Sequence, residues 1–409
     1  MMNTSIIDRK RLGKELSYRE LDEFFNGYLE GKVKDYQMSA LLMAICINDM
    51  TDEEVFALTK IFIDSGDVLD FSDIPGITVD KHSTGGIGDK TTLIIAPIVA
   101  SCGVPIIKMS GRGLGFTGGT IDKLESIPGF RVDLSDEEII AQVHDIGLVI
   151  TSQTADLAPM DKVIYELRDV TGTVSSIPLI ASSIMSKKIA AGAEKILIDI
   201  KVGNGALIKT KKDAERLSKL MIKIGKIYHR EVRTMISDMN TPLGYMIGNS
   251  LEVKEAIDVL QGKETNNNLV SLCIELATEM VSMGKEISKE DALQLVKNSI
   301  SKGRAYEKFL TFVKRQGGDL TKLPTTSKTR VIRAKKNGTI EKINAFMVGE
   351  LSIALGAGRS TKEDSIDYGA GVKLRKLVGE KVKVGDILAT LYLGEGKKVP
   401  EMGNIFEIN

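Results

Sequence analysis

Along the first seventy residues apolar positions recur three and four apart, with polar residues between them, which is the spacing of one buried helix face. Ser17 with Glu20 and Thr51 with Glu54 have the spacing of capping boxes, in which side chain and backbone N–H exchange hydrogen bonds at a helix start. The opening is predicted helical. From Gly76 the pattern changes, and short β-branched runs at 77–79, 93–100, 104–107 and 196–202 stand between glycines. The 93–100 run reads equally well as a buried helix, because an unbroken apolar segment carries no period. Helical segments alternate with these runs, and 135–146 opens with a third box, Ser135 with Glu138. That alternation predicts an α/β fold with a mostly parallel sheet.

Residues 160–194 return to helical character, and 210–233 and 251–262 add amphipathic helices rich in lysine and glutamate. Lysine and threonine crowd 324–336, after which glycine and valine dominate through VGEKVKVGDILATLY. We read 335–409 as a small β-rich C-terminal domain. It resembles the biotinyl or lipoyl carrier fold, but with no MKM or DKA attachment motif a swinging-arm role is not expected.

A chain of 409 residues exceeds what one core usually serves. Its 55 lysines and arginines balance 55 aspartates and glutamates, so there is no global basic field and no nucleic-acid partner is expected. Anion binding must be local. Cys46, Cys102 and Cys273 stand apart among apolar neighbours and read as reduced core thiols. With no signal-like or membrane-spanning stretch, a cytoplasmic protein without a membrane partner is expected. Only His82, His144 and His229 are present, without HExxH or CxxC spacing, which argues against zinc.

Two glycine loops carry the chemistry. In VDKHSTGGIGDKTT, just after a predicted strand, small residues let backbone N–H groups turn inward while Lys81, Ser83 and Thr92 offer charged and hydroxyl donors. This is either a phosphate cradle or a plain glycine turn. Near Lys90 and Thr91 it approaches a P-loop, but Thr84 and Asp89 replace the required glycines. The second loop, KMSGRGLGFTGGTIDKLE, follows an apolar run and opens a predicted helix at Thr120, whose free N–H groups favour an anion; Ser110 and Thr120 add hydroxyls. Gly113, Gly115 and Gly118 satisfy GxGxxG, with Asp133 beyond, but they begin too far past the strand end for dinucleotide binding.

Further on, Asp161, Tyr165 and Arg168 share a helical face, and Ser183 and Lys187 sit four apart on the next predicted helix. Arg168 and Lys187 are either solvated helix charges or paired hydrogen-bond donors to a ligand, with the Ser183 hydroxyl beside them. His82 either bonds the backbone or, with an ordinary pKa near neutrality, serves as a proton donor.

The runs SGRGLGFTGGTIDKLE, VDKHSTGGIGD and RDVTGTV followed by SSIMSKKIAAG resemble the signature blocks of the thymidine and pyrimidine-nucleoside phosphorylases, and the similarity of order extends over most of the chain. The resemblance implies phosphate contacts from Lys81, Ser83, Thr92, Lys108, Ser110 and Thr120, a base site of Tyr165, Arg168, Ser183 and Lys187, and His82 as general acid. It implies phosphorolysis of uridine, thymidine and deoxyuridine to free base and α-D-(deoxy)ribose 1-phosphate. Inorganic phosphate is then the co-substrate and no organic cofactor is required. It also implies a homodimer that closes about hinges near 66–78, 155–160 and 194–196. Some relatives hold potassium with residues matching Gly88, Leu243, Met246 and Glu255 and a hydroxyl where this chain has Lys90, whose ammonium would then replace the ion. We divide the chain into a helical domain (1–66 and 162–194), a central α/β phosphate domain (67–161 and 195–334) and the C-terminal domain (335–409). Alternatives are a thymidine phosphorylase restricted to 2′-deoxynucleosides and a phosphoribosyltransferase of related fold, which would need magnesium although no acidic pair stands at metal spacing.

Overall fold

The computed structural model describes residues 3–113, 118–154, 156–359, 364–401 and 403–409; Gly115 of the second loop lies outside them. Four helices open the chain, α1 (Asn3–Arg11), α2 (Tyr18–Leu29), α3 (Asp35–Asn48) and α4 (Asp52–Asp64). Then come β1 (Val79–Ser83), α5 (Thr91–Ser101), β2 (Ile106–Ser110), α6 (Thr120–Glu125), α7 (Asp136–Ile146) and β3 (Leu148–Ser152). The middle holds α8 (Pro159–Thr171), α9 (Ile177–Ala190), β4 (Lys195–Val202), α10 (Lys211–Ile227), β5 (Glu231–Asp238) and β6 (Met246–Ile247). Helices α11 (Asn249–Leu260), α12 (Asn268–Lys285), α13 (Lys289–Ser301) and α14 (Arg304–Arg315) follow. The chain ends with β7 (Thr329–Arg333), β8 (Gly338–Ile343), α15 (Ala345–Ala354), β9 (Gly371–Leu374), β10 (Lys381–Val382), β11 (Ile387–Tyr392) and β12 (Phe406–Ile408).

The capping boxes form at the starts of α2, α4 and α7. Glu54 has a second task, because the buried Lys10 ammonium donates to both of its oxygens at 2.8 Å and ties α1 to α4. The 93–100 run is helical, within α5. It is buried on every side by α11, α12 and α14, which explains why its sequence shows no polar face.

The chain forms two compact units. The first comprises Met1–Asp73, Thr154–Ile196 and Lys211–Thr234, and its core includes Phe25 and Phe62, whose rings meet edge-on 5.8 Å apart. Helix α10, left in the central domain by the sequence division, belongs here because its apolar stripe packs on α9.

The second unit comprises Ile74–Gln153, Leu197–Thr210 and Met235–Asn409. Strands β2 and β3 pair in parallel, Ile106 opposite Leu148 through Ser110 opposite Ser152, and β1, β4 and β5 lie in that order in a second sheet. The C-terminal strands are antiparallel, in the orders β6-β9-β11-β7 and β10-β8-β12. Because β6 joins that sheet from mid-chain, the C-terminal segment shares one core with it: Leu243 and Ile247 bury with Val372, Leu374 and Leu391. No described helix is long and apolar enough to cross a membrane.

Candidate active site

In the second unit the first glycine loop begins where β1 ends. Lys81 is buried, and its ammonium donates to Thr91 Oγ1 at 2.8 Å and stands 3.4 Å from Asp199 Oδ2. The Ser83 hydroxyl donates to Asp89 Oδ2 at 2.5 Å and the Thr91 hydroxyl to Asp89 Oδ1 at 2.5 Å. Burial alone would raise the Asp89 pKa, but the Lys81 and Lys201 ammoniums and these hydroxyls outweigh it and hold the carboxyl well below its ordinary range. Behind it Lys201 donates to Asp199 Oδ2 at 2.5 Å, and Ser237 donates to Asp199 Oδ1 at 2.6 Å. Desolvation would lower the Lys201 pKa, but Asp89 and Asp199 raise it.

Lys108 on β2 is buried beside this cluster and donates to the Lys81 carbonyl at 2.7 Å. Lys81 and Lys108 thus meet at the Lys81 backbone. Ser110 stands half-buried at the end of β2, Thr120 at the first position of α6, and Thr92 lies buried in the first turn of α5. His82 is half-buried in β1 between Lys81 and Ser83. Helix α6 has only 6 residues, so its dipole is weaker than that of a full-length helix.

Lys90, at the N-cap of α5, is fully buried. Its ammonium donates to Leu243 O at 2.9 Å, Met246 O at 2.7 Å and Glu255 Oε2 at 2.7 Å. Gly88 completes the surround: a β-carbon there would lie 3.4 Å from Lys90 Nζ and 2.6 Å from Leu243 O, on backbone at φ +72°. The oxygens that the sequence reading gave to a cation therefore surround the chain's own ammonium.

The residues that the sequence reading gave to a base lie in the first unit. Asp161, Tyr165 and Arg168 share one face of α8, as their spacing predicts, and Lys187 on α9 donates to Asp161 Oδ2 and, at 2.9 Å, to Ser183 Oγ. The Lys187 ammonium and Arg168 guanidinium lie 5.6 and 5.8 Å from the Tyr165 ring centroid. Arg168 is buried rather than solvated, and burial pulls its pKa down. It donates to the carbonyls of Thr173, Val174 and Leu179 at 3.2, 2.9 and 3.1 Å, which fixes the guanidinium and leaves one N–H on each terminal nitrogen for an incoming acceptor.

Sequence reasoning missed Asp89, Thr91, Asp199 and Lys201. The signal for the last two was present, since in KILIDIKV they are the only charges inside an apolar strand and, two apart, must share a face.

Residues 76–306 match the family described as "Glycosyl transferase family, a/b domain", residues 4–66 its helical bundle domain, and residues 339–407 the "Pyrimidine nucleoside phosphorylase C-terminal domain". The class is thus a glycosyl transferase with a helical bundle, an a/b domain and a C-terminal addition. The chain is 51% identical over 399 residues to a pyrimidine-nucleoside phosphorylase of Staphylococcus haemolyticus, covering 96% of this chain and 92% of that protein. With one of Bacillus subtilis it is 50% identical over the same shares. This chain belongs to the pyrimidine-nucleoside phosphorylase family. In fold it is also similar to the crystal structure of anthranilate phosphoribosyltransferase from Thermus thermophilus, with a TM-score of 0.60 and 16% identity over 76% of this chain and 99% of that one.

Proposed function

We propose that this chain catalyses the reversible phosphorolysis of pyrimidine nucleosides to free base and α-D-(deoxy)ribose 1-phosphate. The observation that carries this reading is identity of about half of all positions, over 96% of the chain, with proteins of that name. Phosphate is held by Lys81, Ser83, Thr92, Lys108, Ser110 and Thr120, and what supports this is the convergence of buried cations and hydroxyls around the ends of β1 and β2. The base is held by Tyr165, Arg168, Ser183 and Lys187, supported by the fixed guanidinium and the ammonium beside Ser183.

Bound phosphate attacks the anomeric carbon on the face opposite the base, through a transition state of oxocarbenium character. Negative charge grows on the pyrimidine as its bond to the sugar breaks, and Arg168 and Lys187 stabilise that charge more than they stabilise the ground state. His82 supplies a proton to the departing ring. Attack with inversion delivers the α-configured 1-phosphate. No potassium takes part, because Lys90 provides the positive charge among the oxygens of Leu243, Met246 and Glu255. The enzyme works as a cytoplasmic homodimer; free Cys46, Cys102 and Cys273 suit a reducing compartment, and an exposed apolar stripe on α3 suits self-association.

The test is base release from uridine, thymidine and deoxyuridine, followed with and without phosphate. Release only with phosphate, and from all three, is expected. Release without phosphate would overturn the mechanism, and turnover of the deoxynucleosides alone would favour the restricted thymidine phosphorylase.

A further inference from the structure

Asp122 on α6 ties the second glycine loop to the C-terminal part of the chain. Its carboxylate is buried, and Oδ2 accepts from the backbone N–H of Gly113 at 2.6 Å. Oδ1 accepts from Arg359 Nη1 at 2.8 Å, across 237 positions of sequence. Gly119 packs against the same turn so closely that a β-carbon there would lie 2.0 Å from Gly113 N and 2.7 Å from Asp122 Oδ2. Lys123, next in α6, donates to Gly118 O at 3.2 Å and to Asp89 O at 3.0 Å, coupling this turn to the first glycine loop. Gly113, Gly118, Asp122 and Arg359 line one depression.

Ser110 ends β2 three residues before Gly113, and Thr120 opens α6 directly after Gly119. The close approach of Gly113 and Gly119, next to these hydroxyls in sequence, is held through Asp122. A buried carboxylate with a single backbone donor is poorly compensated, and Arg359 supplies the missing charge and the second hydrogen bond. Without it, the carboxylate must turn to water for compensation, at the expense of its bond to Gly113. Arg359 is 18% exposed and pairs through one terminal nitrogen, so removing it takes away charge without emptying a packed core.

We propose that Arg359 is a positioning residue for phosphate: acting through Asp122, it holds Gly113 against Gly119 and so steadies the neighbouring Ser110 and Thr120, and the C-terminal domain sets phosphate affinity without touching the anion. Arg359 falls within the 339–407 segment that matches the C-terminal domain of this family. The inference rests on the phosphorolysis reading above.

The test is steady-state phosphorolysis by the full-length wild type, Arg359→Gln and Arg359→Lys, with phosphate and nucleoside varied separately. Arg359→Gln is expected to raise the phosphate KM about tenfold, the scale of one lost charge-assisted bond, with the nucleoside KM changed less than about twofold. Arg359→Lys, which keeps the charge, should recover most of the difference. A purely structural role would lower the active fraction, and hence the apparent kcat, while leaving the phosphate KM where it was; that result would overturn the proposal, as would an equal rise in both KM values. A wild type that releases no base with phosphate would remove the phosphorolysis reading and this inference together, whereas a normal wild type with an unaltered Arg359→Gln would remove this inference alone.

Discussion

Asp89 shows how much of the site depends on one carboxylate. Ser83 and Thr91 donate to it, and the Lys81 and Lys201 ammoniums neutralise it, so a group that burial would protonate stays ionised. The folded state therefore binds the Asp89 proton more weakly than the unfolded chain, whose carboxyl titrates at about 3.9. Stability from this group is fully present above that value and is lost as the pH falls below it toward the depressed folded pKa. Asp89→Asn keeps the shape but leaves the buried Lys81 and Lys201 ammoniums sharing Asp199 alone among the described carboxylates that oppose them here. It is expected to cost roughly 3 kcal/mol at neutral pH, the scale for breaking a buried pair, and to flatten the acid limb of stability. Thermal midpoints of both proteins between about pH 7 and pH 3 report this directly. An Asn variant with as steep an acid limb as the wild type would show that another carboxylate carries the dependence.

At the scale of elements, Lys90 joins the start of α5 to α11, because Glu255 on α11 also accepts from the backbone N–H groups of Tyr245 and Met246 at 2.6 and 2.8 Å. An ammonium there does for the two elements what a bound monovalent cation would do. Activity and thermal midpoint are accordingly expected to stay the same when potassium is replaced by tetramethylammonium at equal ionic strength. Lys90→Thr leaves carbonyls and a carboxylate without a cation and should make both quantities depend on potassium. Strong potassium activation of the wild type would contradict this. The contact was legible in outline because Lys90 stands where the resembling family has a hydroxyl, and the capping boxes of α2, α4 and α7 were legible because their chemistry is local. The state of α5 was not, since a helix apolar on all faces has no period to read. Nor was the place of α10, whose stripe announces that it packs but not on what. The Asp122–Arg359 pair lay beyond any local pattern, joining residues 237 apart that only the folded chain brings together.

For the whole molecule, the same period that marks a buried face marks an exposed one on α3. Tyr36, Ala40, Met43 and Ile47 follow one another four, three and four residues apart, and Tyr36 and Ile47 are 73% and 74% exposed. On the other side of the helix Met38, Leu41, Leu42 and Ile45 are buried in the first unit's core. A helix apolar all round is stable in water only when both faces are covered. Helix α8 lies against α3 and also exposes apolar side chains, Val163 and Val170. A two-fold arrangement covers such a patch with its own copy, because the same surface is presented by each partner. Replacing Ile47 by Asp puts a charge into that stripe while its own helix keeps the buried side unchanged. Sedimentation velocity is expected to show the wild type at twice the 44.5 kDa chain mass and Ile47→Asp shifted toward a single chain at micromolar concentration. The far-ultraviolet circular dichroism of the two should coincide, since the substituted position contributes nothing to the core. A wild type that sediments as a single chain, or an Asp variant that still pairs, would place the self-association surface elsewhere and leave the α3 stripe without a partner.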